Sequence, residues 1–209
     1  MNLPNALTVG RIVITPLIAV LPFSDSWGLR LAAFVLFVIA AVSDYIDGKL
    51  ARSRKQETDF GRLLDPLADK LLLVGTFVPM YLLAHRFPFA TPFGDVGLAW
   101  WVIAIVLGRE LFMTIFRQAA ARRGVVIAAI GPAKWKTGFQ LVWQGSAYFW
   151  FFAATLAHDR GWRNAAWNGF ALFNGTVGTL VMTAAVILTI YSFVIYLRSF
   201  GRVFATPAK

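Results

Sequence analysis

The chain has 209 residues, of which 58% are hydrophobic and 14% charged, and its formal net charge is +10. Soluble domains carry about 25% charged residues, so this composition leaves too little polar surface to cover a water-soluble helical bundle. The absence of cysteine excludes disulfides and thiolate metal sites. The composition therefore indicates a membrane protein.

Six apolar segments approach or reach the length of about 20 residues that a helix needs to cross a bilayer. In chain order they are Leu7–Phe23, Leu29–Asp47, Leu63–Ala84, Gly97–Phe116, Trp135–Ala157 and Thr176–Leu197. The segment LPNALT, which precedes the first of them, is predicted to form a short interfacial helix. No repeat, low-complexity tract or linker divides residues 1–209, so we expect a single all-α transmembrane domain.

Lysine and arginine are distributed unevenly between the two sides on which alternating loops would lie. The richer side holds Lys49, Arg52, Arg54, Lys55, Arg62, Arg122, Arg123, Lys134, Lys136, Arg198, Arg202 and Lys209. The other side holds Arg30, Arg86, Arg160 and Arg163. The richer side is predicted to be cytoplasmic, and six spans then place both termini in the cytoplasm. This distribution favours anionic lipid headgroups, rather than nucleic acid, as the partner of the positive charge.

Four aspartates lie at the facing ends of the second and third predicted spans. Residues three or four positions apart share one face of a helix, so Asp44 projects together with Asp47, and Asp65 with Asp69. A short basic connector joins the two spans, so their ends should meet. We therefore expect four carboxylates to converge just inside the membrane boundary.

Such a cluster requires compensating charge, because an aspartate well inside a bilayer costs roughly 2.5–3.5 kcal/mol. Pairing with Arg52, Arg62 or Lys70 is one possibility. Divalent cations are the other, since carboxylate oxygens suit Mg²⁺ or Mn²⁺. Gly48 and Gly61 leave room for a ligand to approach the backbone, and the basic side chains suit phosphate. Together these features favour a two-metal phosphate site at a membrane surface.

The residues from Asp44 to Asp69 fill every fixed position of the pattern D-x2-D-G-x2-A-R-x8-G-x3-D-x3-D. This pattern resembles the signature of the CDP-alcohol phosphatidyltransferases. The resemblance extends over roughly residues 3–140, through LPNALTVGRI, DPLADKLL and GRELFMTIFRQAAARRGVV. These segments are similar to those of bacterial members of the family that use glycerol 3-phosphate. The last third of the chain is similar only as apolar spans.

The resemblance implies an enzyme that transfers the phosphatidyl group of CDP-diacylglycerol to sn-glycerol 3-phosphate and releases CMP. It also implies a six-span homodimer in the bacterial inner membrane, with an active site on the cytoplasmic side that opens sideways to the bilayer. Two divalent ions, Mg²⁺ or Mn²⁺, would be held by Asp44, Asp47, Asp65 and Asp69, and Asp69 would also act as general base. The implied CDP-diacylglycerol site comprises Asn5, Gly48, Ala51, Arg52, Thr58 and Gly61.

The acceptor phosphate needs cationic partners near the metals. Arg109 and Arg117 stand eight residues apart, near one face of the fourth span, and Lys134 and Lys136 open the fifth span on the same predicted side. We expect these four residues to bind the acceptor phosphate. Two other interpretations stay open: the lysines act only as topology signals, or Arg109 pairs with Glu110 or with a distant aspartate.

Two kinds of alternative function also stay open at this point. The same chemistry can serve another acceptor: phosphatidylglycerol, which would give cardiolipin, or inositol phosphate, serine or choline. A cation-coupled transporter is the alternative from a different class, because intramembrane carboxylates mark ion pathways. The aspartates cluster at one membrane face and are absent from the last two predicted spans, which favours the enzyme.

Overall fold

The structure is a computed structural model. It describes the backbone of residues 3–54, 59–125, 127 and 131–200, and the side chains of residues 5–44, 46, 61, 64–125, 127, 131 and 135–199. The long helices in this part of the chain are α1 (Leu3–Val20), α2 (Trp27–Arg54), α3 (Asp59–Leu83), α4 (Trp100–Arg122), α5 (Gly131–Asp159) and α6 (Ala165–Phe200). They correspond in order to the six predicted apolar segments.

The amino-terminal segment differs from its prediction. LPNALT is not a separate interfacial helix, because α1 runs without a break from Leu3 to Val20. Proline is tolerated in the first turn of a helix, and no helix-breaking residue separates this segment from the apolar run. A short 3₁₀ turn, Leu21–Phe23, then ends α1 and leads into α2. The prediction of a short interfacial helix is therefore wrong.

The connection between α3 and α4 contains a small β-hairpin that the sequence did not predict. Its strands are β1 (Phe89–Thr91) and β2 (Gly94–Val96), paired antiparallel with Ala90 opposite Asp95. The hairpin packs on α6. At Gly175 of α6, a Cβ atom would collide with the backbone carbonyl of Ala90, so the strand and the helix approach each other without a side chain between them.

Four helices in the described part of the chain are long and apolar enough to cross a membrane. The segments are Asn5–Phe23, Trp27–Asp44, Leu64–Leu83 and Ala165–Ser199. Of the other two long helices, α4 carries Arg109, Glu110 and Arg117 among its apolar residues, and α5 contains the buried amides of Gln140 and Gln144. The all-α membrane character expected from the composition is thus confirmed.

The core lies where α1, α2, α3 and α5 meet, and aromatic side chains fill much of it. Phe77 of α3 meets Trp143 of α5 edge to face, with ring centroids 5.0 Å apart. Phe37 of α2 stacks on Tyr148 of α5 at 5.6 Å. The Tyr148 hydroxyl lies 3.2 Å from the carbonyl oxygen of Ile18 and 3.3 Å from that of Gly75. These contacts fix α1, α2 and α3 against α5, and so position the ends of those helices.

Candidate active site

Arg11 of α1 lies between two aspartates of the predicted cluster. Its Nη1 atom is 2.5 Å from Asp44 Oδ1 on α2 and 3.0 Å from Asp69 Oδ1 on α3. The Arg11 side chain is 1% exposed, whereas those of Asp44 and Asp69 are 49% and 54% exposed. A buried guanidinium thus gathers two carboxylates that come from different helices. Arg11 thereby brings the carboxylates of Asp44 and Asp69 together at the expected metal site.

Asp65 is held by a second residue of α1. The Thr8 hydroxyl donates a 2.8 Å hydrogen bond to Asp65 Oδ1, and Thr8 lies one turn before Arg11 on the same face of the helix. The two helices approach closely beyond this point, since a Cβ atom on Gly75 would lie 2.9 Å from the Thr15 side chain. The glycine lets α3 pack tightly on α1, which keeps Thr8 within reach of Asp65.

The arrangement of these carboxylates fits a divalent cation. Asp44, Asp65 and Asp69 come from two neighbouring helices, and two of them already share one positive charge. Each of the three carboxylates is at least partly exposed, so oxygens stay accessible to a hard ion. No group of three potential ligands closes around a single point within the described part of the chain, from which the side chain of Asp47 is missing. Asp44, Asp65, Asp69 and Asp47 are the residues that would hold the metals.

Several predicted residues of the nucleotide site fall outside what the structure describes. Thr58 lies outside the described residues, and only the helical backbone is described for Gly48, Ala51 and Arg52. Two others can be placed. Asn5 is buried near the start of α1, and Gly61 is buried near the start of α3. Both lie at the end of the bundle that carries the aspartates.

Glu110 of α4 collects three basic side chains beside the carboxylates. Its Oε2 atom is 3.3 Å from Lys70 Nζ, and its Oε1 atom is 2.8 Å from Arg109 Nη1. Oε1 also accepts a hydrogen bond from Lys136 Nζ. Lys136 is 3% exposed and Arg109 is 8% exposed. We call these four residues the Glu110 cluster. Lys70 follows Asp69 in α3, so the cluster and the aspartates share this helix.

The predicted acceptor residues divide into three groups in the structure. Arg109 and Lys136 meet at Glu110, and Arg109 also donates a 3.1 Å hydrogen bond to Ser192 Oγ on α6. Arg117 is exposed and donates a 3.0 Å hydrogen bond to the Tyr196 hydroxyl. Both arginines face the Tyr196 ring, at 5.8 and 5.4 Å from its centroid, so they share one face of α4. The Lys134 side chain lies outside the described residues.

The sequence interpretation missed two residues of this site, Thr8 and Arg11. It named Glu110 only as a possible partner of Arg109, and the structure confirms that pair. It proposed Arg52, Arg62 or Lys70 as partners of the aspartates. Lys70 contacts Glu110, whereas Asp44 and Asp69 contact Arg11. The side chains of Arg52 and Arg62 lie outside the described residues. A signal for Arg11 was present, since an arginine inside an apolar span needs a partner. Glu110 offered the same signal, because it is an acidic residue among apolar neighbours in α4.

A helical membrane bundle with clustered carboxylates and buried cations has the groups that an enzyme acting on phosphate groups requires. The chain belongs to the CDP-alcohol phosphatidyltransferase family, whose model matches residues 1–191. The match extends well past residue 140, so the expectation that the last third of the chain is similar only as apolar spans is wrong. Family membership confirms the predicted transferase class and excludes the transporter alternative.

Curated relatives carry the name CDP-diacylglycerol–glycerol-3-phosphate 3-phosphatidyltransferase. One from Salmonella choleraesuis is 32% identical over 208 residues, which cover 95% of this chain and 94% of the relative. One from Bacillus subtilis is 34% identical over 153 residues, covering 68% of this chain and 73% of the relative. An Arabidopsis thaliana protein, numbered 2 under that name, is 30% identical over 213 residues, covering 97% of this chain and 81% of the relative.

Proposed function

We propose that the chain transfers the phosphatidyl group of CDP-diacylglycerol to sn-glycerol 3-phosphate, which gives phosphatidylglycerol phosphate and CMP. The names of the relatives support this acceptor. The observation that carries the proposal is the Glu110 cluster, because it gathers the buried cations Arg109 and Lys136 with Lys70, which follows Asp69 in α3. An acceptor that bears its own phosphate would find cations beside the carboxylates that act on its hydroxyl.

The charge of the Glu110 cluster favours a dianionic acceptor. Lys70, Arg109 and Lys136 bring three positive charges, and Glu110 brings one negative charge, so two positive charges are in surplus. Burying charge without compensation is costly. A phosphate monoester such as glycerol 3-phosphate carries about two negative charges near neutral pH and would balance the surplus. Serine and choline have no such group, so they fit this cluster less well.

The four aspartates would hold two divalent ions, Mg²⁺ or Mn²⁺, with Asp44, Asp47 and Asp65 as ligands and Asp69 as a further ligand. Bound there, the ions would neutralise the diphosphate of CDP-diacylglycerol and stabilise the departing CMP. Around them, Asn5, Gly48, Ala51, Arg52, Thr58 and Gly61 would form the nucleotide site. Arg11 keeps Asp44 and Asp69 together from the protein side, which limits the rearrangement needed to bind the ions.

In the reaction, Asp69 acts as general base. The carboxylate accepts the proton from the primary hydroxyl of glycerol 3-phosphate, and the hydroxyl oxygen forms a bond to the phosphorus of the phosphatidyl group. The bond between that phosphorus and the bridging oxygen of the diphosphate breaks, and CMP leaves. A positioned base of this kind contributes roughly 10²–10⁴-fold to the rate.

The membrane arrangement that we propose has six spans, both termini in the cytoplasm and the active site on the cytoplasmic side. The aspartates lie at the end of the bundle where α1 begins and α2 ends, which is also the side that is richer in lysine and arginine. In this proposal α4 and α5 cross the membrane together with the four more apolar helices. The single domain would assemble as a homodimer in a bacterial inner membrane.

An acceptor panel tests the proposed reaction. With CDP-diacylglycerol and Mg²⁺, purified protein is expected to convert glycerol 3-phosphate to phosphatidylglycerol phosphate, because this acceptor matches the charge surplus and is the one named for the relatives. Phosphatidylglycerol, inositol phosphate, serine and choline are tested in parallel, with the lipid products identified by mass spectrometry. A faster reaction with any of these four would disprove glycerol 3-phosphate as the acceptor.

Arg117→Ala is expected to raise the KM for glycerol 3-phosphate roughly tenfold or more, since a hydrogen bond to a charged group is worth about 1.5–3 kcal/mol. The KM for CDP-diacylglycerol should change little, because Arg117 lies on α4 beside Tyr196, whereas none of the proposed nucleotide residues belongs to α4. Steady-state kinetics with each substrate varied in turn measure the two values.

Arg122→Ala is the matched control for this variant, because Arg122 is an exposed arginine in the last turn of the same helix. It should leave both KM values close to those of the wild type. If Arg117→Ala raises both KM values equally, or neither, the acceptor phosphate binds elsewhere.

A further inference from the structure

A polar cavity lies at the end of the bundle opposite Asp44, Asp65 and Asp69. It is formed where α2 begins and where α3 and α5 end, and its volume is about 530 Å³. The charged and polar side chains that matter here are those of Asp25, Arg30, Arg86, Thr155, His158 and Asp159. We call it the far-end cavity. Its volume lies within the range of about 300–1,000 Å³ that is usual for ligand pockets.

Arg30 forms the floor of the far-end cavity. Its side chain is 2% exposed, although it lies next to an open space of this size. Nε donates a 3.0 Å hydrogen bond to the carbonyl oxygen of Pro22, and Nη1 donates to the Thr155 hydroxyl. Nη2 has no hydrogen-bond partner among the described residues, and the Asp25 carboxylate is 3.8 Å away. A buried donor without a partner costs about 1–3 kcal/mol or more when it is charged, so this atom is available for an anion.

Arg86 brings a second guanidinium to the same space. Its Nη2 atom lies 2.6 Å from Asp25 Oδ1, and its side chain is 58% exposed. Both guanidinium groups contact the Phe87 ring, with the Arg30 carbon 4.5 Å and the Arg86 carbon 5.8 Å from its centroid. The ring thus gives the two arginines a common support. Two guanidinium groups that share one exposed carboxylate suit a phosphate, because their planar donors match its oxygens.

Positive and negative charges lie at different depths in the far-end cavity. The buried charge is the positive one of Arg30, whereas Asp25 is 79% exposed and Asp159 is also exposed at the rim. A ligand that fits both parts would carry a negative group toward the floor and a positive group toward the opening. A simple anion would satisfy Arg30 but would also face the two rim carboxylates.

We propose that the far-end cavity binds the headgroup of a zwitterionic phospholipid, a phosphodiester that bears a primary ammonium group. The phosphate lies between Arg30 Nη2 and Arg86, and the ammonium group lies at Asp25 and Asp159. The bundle is set in a membrane, so such headgroups are present in the leaflet at this end. This site is separate from Asp44, Asp65 and Asp69, and the proposal does not depend on which acceptor the enzyme uses.

Native mass spectrometry of the detergent-solubilised protein tests this site, with phosphatidylethanolamine and phosphatidylglycerol as probes. We expect the wild type to bind one phosphatidylethanolamine per chain about tenfold more tightly than phosphatidylglycerol. Arg86→Gln should weaken phosphatidylethanolamine binding by about tenfold or more, which corresponds to the loss of one charged hydrogen bond. Turnover should stay unchanged, because Arg86 lies at the end of the bundle opposite Asp44, Asp65 and Asp69.

Arg163→Gln is the matched control, because Arg163 is exposed at the same end of the bundle but does not line the cavity. It should bind phosphatidylethanolamine like the wild type. Equal loss in both variants would overturn the site, as would equal binding of the two lipids.

Two further measurements keep the proposal falsifiable. The melting temperature of Arg86→Gln in lipid-free detergent should match that of the wild type, and only the increase in melting temperature on adding phosphatidylethanolamine should be smaller. Inorganic phosphate and glycerophosphoethanolamine compete as soluble probes. If inorganic phosphate displaces the lipid as well as glycerophosphoethanolamine does, the cavity is a site for free phosphate and the lipid assignment is wrong.

Discussion

Asp69→Asn is expected to lower turnover by at least about a hundredfold while the protein still folds and inserts. The substitution is nearly isosteric, so packing at the start of α3 should persist. An amide cannot accept the proton of the acceptor hydroxyl as a carboxylate does, and this contribution is worth roughly 10²–10⁴-fold. It also removes one of the two carboxylates that Arg11 holds. The initial rate of CMP release from CDP-diacylglycerol measures the effect.

The matched control for this variant is Asp95→Asn, which alters an exposed aspartate in β2 at the other end of the bundle. It should keep the activity of the wild type. The elution volume in size-exclusion chromatography and the melting temperature establish that both variants are folded. Wild-type turnover in a folded Asp69→Asn protein would show that another group takes the proton.

Removal of divalent metal is expected to abolish activity, and Mg²⁺ or Mn²⁺ should restore it. The physical reason is charge: Asp44 and Asp69 share the cation Arg11, and Asp65 accepts a hydrogen bond from the neutral Thr8 hydroxyl. The diphosphate of CDP-diacylglycerol would add further negative charge. Without added positive charge, the substrate and the carboxylates repel each other. The measurement is CMP release after exhaustive chelation and dialysis, followed by titration with each ion.

The number of bound ions provides a second measurement that does not depend on turnover. We expect about two Mn²⁺ per chain in the wild type, as in other two-metal sites, and fewer in Asp44→Asn. Asp95→Asn should bind as many ions as the wild type. Full activity in the chelated protein would disprove a role for metal.

The carboxylate cluster was predictable because helical periodicity fixes which side chains share a face. Asp44 and Asp69 do meet, through Arg11. The identity of this bridging residue was not predictable from spacing, because α1 is distant in sequence from Asp69 and only tertiary packing brings the two together. The same holds for Glu110, whose contacts with Lys70 and Lys136 join three different helices.

The helices were predictable from the length of the apolar segments, but the residues at which helices begin and end were less predictable. The six apolar segments became six helices. The start of α1 was wrongly separated from the first span because Pro4 and Asn5 were interpreted as the beginning of a distinct element. The hairpin Phe89–Val96 gave no clear pattern, since its strands are only three residues long and pack on a helix distant in sequence.

The contacts of α6 have a consequence for the order in which this protein assembles during synthesis. The hairpin is synthesised well before Gly175, the residue against which Ala90 lies. The hairpin therefore cannot pack on α6 until this last helix has been made. Ser192 and Tyr196, which bond to Arg109 and Arg117, come later still. Insertion of α6 therefore completes both ends of the bundle. A nascent chain that stops before it lacks the helix against which the hairpin packs and the partners of Arg109 and Arg117.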